Sequence, residues 1–202
     1  MFRFLAVLVV VLLPFAAHAQ EAPDALVKRV TDEVLAIMRS DEDSHSGGTR
    51  RAAELAEATV LPHFDFVRMT RLAVGRNWRQ ASDAQKEALT REFRALLVRT
   101  YSRSLSVYRD QAIQVTPLAL APAATETTVR TVVIQQGAPP IPIDYSMERG
   151  PDGWKVYDVA IDGVSLVISY RDNFDQQVRS GGIDGLLGTL QDRNRPAEPA
   201  AN

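Results

Sequence analysis

The chain contains no cysteine. Disulfide staples, thiolate metal sites and a lipid-bearing cysteine behind a leader are therefore excluded. Histidine is nearly as scarce, with 3 in the full sequence. His18 falls in the leader described below, which leaves His45 and His63. His45 lies in a polar stretch and reads as a solvated surface group. His63 forms a His-x-Asp pair with Asp65, which lacks the third ligand that a metal site needs. No strong charge excess is present either. The 23 basic and 25 acidic residues give a formal net charge of −2, which argues against the positive field that nucleic-acid binding requires. No phosphate-cradling glycine loop occurs, because RSGGIDG lacks the strand-then-helix setting. The stretch GVSLV (Gly163 to Val167) carries Val167 where a nucleophile elbow needs its last glycine. Ser165 accordingly reads as a residue that caps or packs at a helix start.

One long apolar run exists. MFRFLAVLVVVLLPFAAHAQ opens with Arg3, runs apolar from Phe4 to Leu13, and ends in Ala17-His18-Ala19. A basic start, a short apolar segment and a small-x-small site describe a secretory signal peptide cleaved after Ala19. The run is shorter than the roughly 20 apolar residues that span a bilayer. Residues 1–19 are therefore expected to be a leader, 20–193 a single domain, and 194–202 (starting Asn194 and including NRPAEPAAN) a disordered tail. The domain is long enough to bury a core of its own.

The periodicity changes along the chain. Leu26, Val27, Val30, Val34, Ile37 and Met38 recur at helical spacing between Asp24 and Ser40. A turn is expected over Asp41 to Gly48, then a helical stretch from Thr49 to Leu61 interrupted by Pro62. His63 to Gly75 reads as a short helix closed by its glycine. Ser82 and Gln85 form a capping box that opens a long helix, whose apolar arc holds Leu89, Phe93, Leu96, Leu97, Thr100, Tyr101 and Tyr108. Beyond Asp110 the pattern turns to strands. QAIQVTPLAL, TETTVRTVVIQQ, IPIDYSMER and WKVYDVAID follow one another, with GPDG as the hairpin turn between the last two. In the third, Ile141, Ile143, Tyr145 and Met147 share a face, and Asp144 lies on the other. Helices are expected again from Gly163 to Ser180 and from Ile183 to Gln191. Asp162 and Asp184, in two Ile-Asp-Gly triplets, stand where N-caps would. The expected fold is α+β: a four-stranded curved antiparallel sheet packed against several helices around an apolar cavity.

Three stretches together resemble a known family. WKVYDVAIDGVSLVISYRDNF followed by GGIDGLL, with ASDAQKEALTREFRALLVRTYSRSL before them, is similar to the MlaC family, also called toluene-tolerance proteins. A hopanoid-associated branch shares the pattern. The resemblance implies a soluble, monomeric periplasmic phospholipid carrier without catalytic residues, metal or cofactor, its bound phospholipid being cargo. It implies partners as well: an inner-membrane ABC transporter with a substrate-binding ring and an outer-membrane lipoprotein complex, in a system that maintains outer-membrane lipid asymmetry. The expected lipid lining is Leu72, Val74, Phe93, Leu97, Tyr101, Val133, Ile143, Tyr145, Met147, Tyr157, Val159, Val164 and Ile168. Arg68, Arg71, Arg76, Arg79, Arg99 and Arg103 are candidates to meet a headgroup or an acidic partner. Apolar residues at these spacings also occur in any filled α+β core, so an adaptor with a solid core stands as the alternative. An enzyme would need an acid or histidine among the apolar lining, and none is apparent.

Overall fold

A computed structural model describes residues 20–40, 54, 56–105 and 112–195. The leader, the expected turn at Asp41, Tyr108 and the final residues lie outside these. Helix α1 covers Pro23–Ser40 and buries Leu26, Val27 and Leu35. A π-helical turn at Ala56–Val60 and a 3₁₀ turn at Leu61–His63 follow, the latter containing Pro62. Helix α2 is Phe66–Val74, closed by Gly75. Helix α3 is Asp83–Leu105. Its capping box is formed as expected: Ser82 N–H donates to Gln85 Oε1 at 2.9 Å and Gln85 N–H to Ser82 Oγ at 3.2 Å.

The strands are β1 (Ala112–Val115), β2 (Glu126–Ile134), β3 (Ile141–Gly150), β4 (Gly153–Ile161) and β5 (Val164–Ser165). They form one antiparallel meander in the order β1-β2-β3-β4-β5. The sheet thus has five strands where four were expected. The cause lies at the Asp162-Gly163 corner. Both residues have positive φ, 50° and 77°, the backbone of a two-residue hairpin turn. Aspartate and glycine tolerate that region best, so the chain folds back on β4 and does not enter a helix at Gly163. Asp162 is consequently a turn residue rather than an N-cap. Asp158 does the polar work instead: its Oδ1 accepts from Val159 N–H at 2.9 Å and Val167 N–H at 3.3 Å. Ser165 Oγ accepts from Ile168 N–H at 2.9 Å, at the start of a 3₁₀ turn over Ile168–Tyr170.

Helix α4 runs Arg171–Asn194 with a kink at Gly182, whose φ of 68° is open to glycine. The kink falls where a break between two helices was expected. The helix continues one residue past the expected domain end: Asn194 Nδ2 donates to Glu92 O and Oε2, each at 2.9 Å. Asp184 accepts from Gln85 Nε2 at 2.7 Å, tying α4 to the start of α3.

Two apolar clusters result. In the first, α1 packs on one face of the sheet through Leu26 and Val27 against Val129, Val133, Met147, Trp154 and Val156. In the second, α2, α3 and α4 pack on each other through Met69, Val74, Leu89, Phe93, Phe174, Leu186 and Leu190. Phe93 meets Tyr170 and Phe174 edge-on, with ring centroids at 5.2 and 5.4 Å. Phe93→Ala is expected to destabilise the fold by about 3–5 kcal/mol, since the cavity left among these rings cannot collapse. Urea unfolding checks this; a loss within error would mean that the ring cluster contributes little.

Candidate lipid-binding face

Cross-strand register sorts the inner face of the sheet into rows. Ile113, Val133 and Ile141 lie opposite one another. Next come Val115, Thr131, Ile143 and Ile161, then Val129, Tyr145 and Val159, then Thr127, Met147 and Val156. A register shift between Ser146 and Met147 leaves Tyr157 as an extra residue on β4. This β-bulge lets both Val156 and Val159 face inward although three positions separate them.

Cover over this face is uneven. Met147, Trp154 and Val156 are buried at one end. Toward the other end Ile113, Val115, Ile141, Tyr145 and Ile161 are only half-buried, and Leu118, Leu120 and Leu166 border them in the same state. The one buried polar group within the rows, Thr131, donates its hydroxyl to Ile143 O at 3.0 Å. The open end is therefore an apolar surface without unmet hydrogen-bonding needs in its floor.

The expected lining residues divide among three places. Val133, Ile143, Tyr145, Met147 and Val159 share the sheet face. Leu72, Val74, Phe93, Leu97 and Tyr101 belong to the helix cluster, packed against Phe174, Leu186 and Leu190. Among the described residues Phe64 alone packs against both clusters. Val164 and Ile168 stand on the surface, 61% and 41% exposed, because the hairpin carries them out of the helix in which they were expected to turn inward. Tyr157 is drawn aside by the bulge, and its ring lies 3.5 Å beneath the Arg68 guanidinium. Sequence reasoning left Ile113, Val115, Ile161 and Leu166 out of the lining. The alternation within β1 and β4 marks the first three as candidates, but only the register shows that they share the face.

Tyr101 is the polar member of the helix cluster. Burial pushes its hydroxyl up to about 12, and the neighbouring Tyr170 hydroxyl adds to the shift.

Of the arginines expected to meet a headgroup or an acidic partner, Arg68, Arg76 and Arg99 have other partners, and the Arg103 side chain lies outside the described residues. Arg68 pairs with Glu126 at 2.8 Å and with Glu148. Burial opposes its charge, but the hydrogen bonds that it donates to the two glutamates, with their negative charge, outweigh burial and raise its pKa. Arg99 donates to Arg193 O and Arg195 O, each at 2.9 Å. Arg71 and Arg79 are exposed. Arg76 lines a surface cleft of about 470 Å³ with Val74, Gly75, Arg171, Asp172, Asp175 and Arg179. That cleft is a charged network, not a hydrocarbon site. Asp175 accepts from Asn77 at 2.9 Å, and this bond, with Arg179 and Arg76, holds its carboxyl below the usual range. Arg171 donates to Leu72 O through Nε and Nη2 at 3.1 and 2.9 Å.

Asp65, the partner once considered for His63, caps α2 by accepting from Arg68 N–H at 2.8 Å. Burial lowers the pKa of His63, and Arg29 and Lys155 lower it further. Among the described residues no group of three histidines or carboxylates could hold a metal ion. No described helix is long and apolar enough to cross a membrane.

These features define an α+β protein with a partly covered apolar face along its sheet. The model of the family described as MlaC protein matches residues 28–192, and the chain belongs to that family. It is 23% identical over 192 residues to the toluene tolerance protein ttg2D of Pseudomonas putida, covering 92% of this chain and 89% of that one. It is also 23% identical over 188 residues to the intermembrane phospholipid transport system binding protein MlaC of Haemophilus influenzae, covering 92% and 88%. A solved structure of the phospholipid-binding protein from Ralstonia solanacearum, in complex with a phospholipid, superposes with a TM-score of 0.77 at 36% identity. It covers 85% of this chain and 96% of its own.

The raised Tyr101 pKa has a stability consequence. The unfolded hydroxyl ionises near the ordinary tyrosine value of 10.0, whereas the folded one retains its proton to about 12. Its contribution is present below the unfolded value and is lost as pH rises through the folded one. Stability should fall across that interval, and Tyr101→Phe should remove the most alkaline phase of the tyrosinate absorbance titration. An unchanged titration would place the ring in solvent.

Proposed function

We propose that this protein carries phospholipid through the periplasm, with acyl chains held on the half-covered sheet face and headgroup at its mouth. Residues 1–19 act as the export leader in this reading. The mature chain works as a monomer between outer-membrane and inner-membrane complexes of an ABC-type lipid transport system, and so maintains outer-membrane lipid asymmetry. The lipid is cargo; no cofactor and no covalent step are involved. The observation that carries the reading is the apolar, hydrogen-bond-satisfied end of the sheet face around Ile141, Tyr145 and Ile161. The Ralstonia relative, which binds a phospholipid on the same fold, supports it.

The physical basis is simple. Each methylene taken out of water contributes about 0.8 kcal/mol. Two acyl chains therefore supply a large driving force without polar recognition, and selectivity among headgroups is expected to be weak. The sheet residues Val133, Ile143, Tyr145, Met147 and Val159 form the floor in this proposal. Leu72, Val74, Phe93, Leu97 and Tyr101 pack among themselves in the helix cluster, so in this proposal they support the fold and do not touch the lipid.

Native mass spectrometry of the mature protein from bacterial periplasm tests the proposal. About one phospholipid per chain, with mixed headgroups, is expected. A hopanoid would reassign the cargo, and a chain that stays empty after incubation with phospholipid vesicles would sink the carrier reading. Val115→Trp and Ile161→Trp should each fill the open end and lower the lipid load while the fold persists by circular dichroism. Normal loading in both folded variants would move the site elsewhere.

A further inference from the structure

We propose that Arg68 is a latch that holds the helix bundle α2–α4 against the sheet and thereby sets how quickly bound lipid leaves. The lipid part rests on the carrier reading above; the latch itself does not. The two apolar clusters meet along the edge of β4 that faces away from β3. Phe64 packs in both, and Leu166 belongs to the sheet cluster while its neighbour Val167 belongs to the helix cluster. Backbone pairing there is confined to two short stretches: Phe64 makes one parallel bridge to Val156, with Asp65 N–H donating to Val156 O at 2.8 Å, and beside the two-residue β5 Leu166 N–H donates to Val159 O at 2.8 Å. Lys155 Nζ adds a bond to Pro62 O at 2.9 Å. Apolar contact is non-directional and by itself sets no unique angle between two layers.

Arg68 supplies the direction. It leaves α2 three residues after Asp65 and reaches Glu126 on β2 and Glu148 on β3. Those two glutamates are cross-strand partners, on the opposite face from Val129 and Met147 by alternation along their strands. The bulge residue Tyr157 presents its ring under the guanidinium. One planar group thus touches three strands, and its rigid fork fixes position in a way a lysine would not. The Arg68 side chain is 15% exposed, while Glu126 and Glu148 are 55% and 30% exposed.

The contact is not optimised for stability. Arg68 Nε is buried without a hydrogen-bond partner, and a buried donor left unmet costs free energy. An apolar side chain of similar volume often replaces a buried ion pair without loss of stability. In this proposal the role of Arg68 is the geometry it imposes.

The absence of cysteine permits a direct test. Spin labels on Glu87→Cys in α3 and Arg130→Cys in β2, both exposed positions, report the separation of the two layers with or without lipid. Arg68→Met is expected to fold, to broaden the label distance distribution, and to transfer fluorescent phospholipid to acceptor vesicles about tenfold faster than the parent. Glu126→Gln with Glu148→Gln, which leaves Arg68 in place, should move both readouts the same way and stands in if Arg68→Met does not fold. Unchanged distances in either folded variant overturn the latch whatever the lipid result. Broadened distances with an unchanged transfer rate overturn its control of lipid exit. A parent protein that carries no lipid overturns the carrier reading, and the label distances then decide the latch alone.

Discussion

Strand β4 is bordered along one edge by β3 and along the other by two separate pieces of chain, Phe64 at Val156 and β5 at Ala160 and Ile161. Both pieces continue directly into the helix bundle, the first into α2 and the second through Val167 into α4. The relation between helices and sheet is therefore decided along one edge of one strand. Asp158, midway along β4, anchors the second crossing by accepting the Val167 N–H. Asp65 serves the first twice, as cap of α2 and as backbone donor to Val156. A buried crossing needs such pairing, because an unmet backbone donor costs about as much as a lost hydrogen bond.

The same edge explains the unequal packing of the two clusters. The helix cluster closes on itself, with Phe93, Phe174, Leu186 and Leu190 almost wholly removed from water. Over the sheet's inner face α1 meets β1 and β2, and Phe64, Leu118 and Leu120 add to the cover; the Met147–Trp154 end is buried while Ile141 and Ile161 stay half-buried. A half-covered apolar face is a poor solution for stability alone, since each exposed side chain forgoes transfer free energy. It is a good solution for a protein whose ligand is itself hydrocarbon. In the proposed carrier the acyl chains would complete this core.

The outer face of the sheet carries a different logic. Polar and charged residues alternate there with the buried rows, as one-sided antiparallel sheets require. Glu126, Glu148 and Tyr157 converge on Arg68 from three strands. Their convergence depends on the bulge, which removes Tyr157 from the inner series while keeping Val156 and Val159 within it. One inserted residue thus shapes both faces at once.

Much of this was legible in the residues. The helical spacing of Leu26, Val27 and Val30, the Ser82–Gln85 box and the alternation from Ile141 to Met147 are local signals, and local hydrogen bonding and side-chain period set them. The family resemblance was legible too, because it rests on contiguous stretches. What stayed hidden depends on partners distant in the chain. The Asp162-Gly163 corner suits either a helix cap or a hairpin, and pairing of Val164 and Ser165 with β4 decided for the hairpin. Tyr157 alternates correctly with Val159, yet a bulge is a property of two strands in register and not of one. Phe93 and Leu97 announce burial, but periodicity says only that a face is covered, not which layer covers it. The sequence by itself determined the elements and their apolar faces. Tertiary structure decided which faces meet, because burial is shared between elements and local period describes only one at a time.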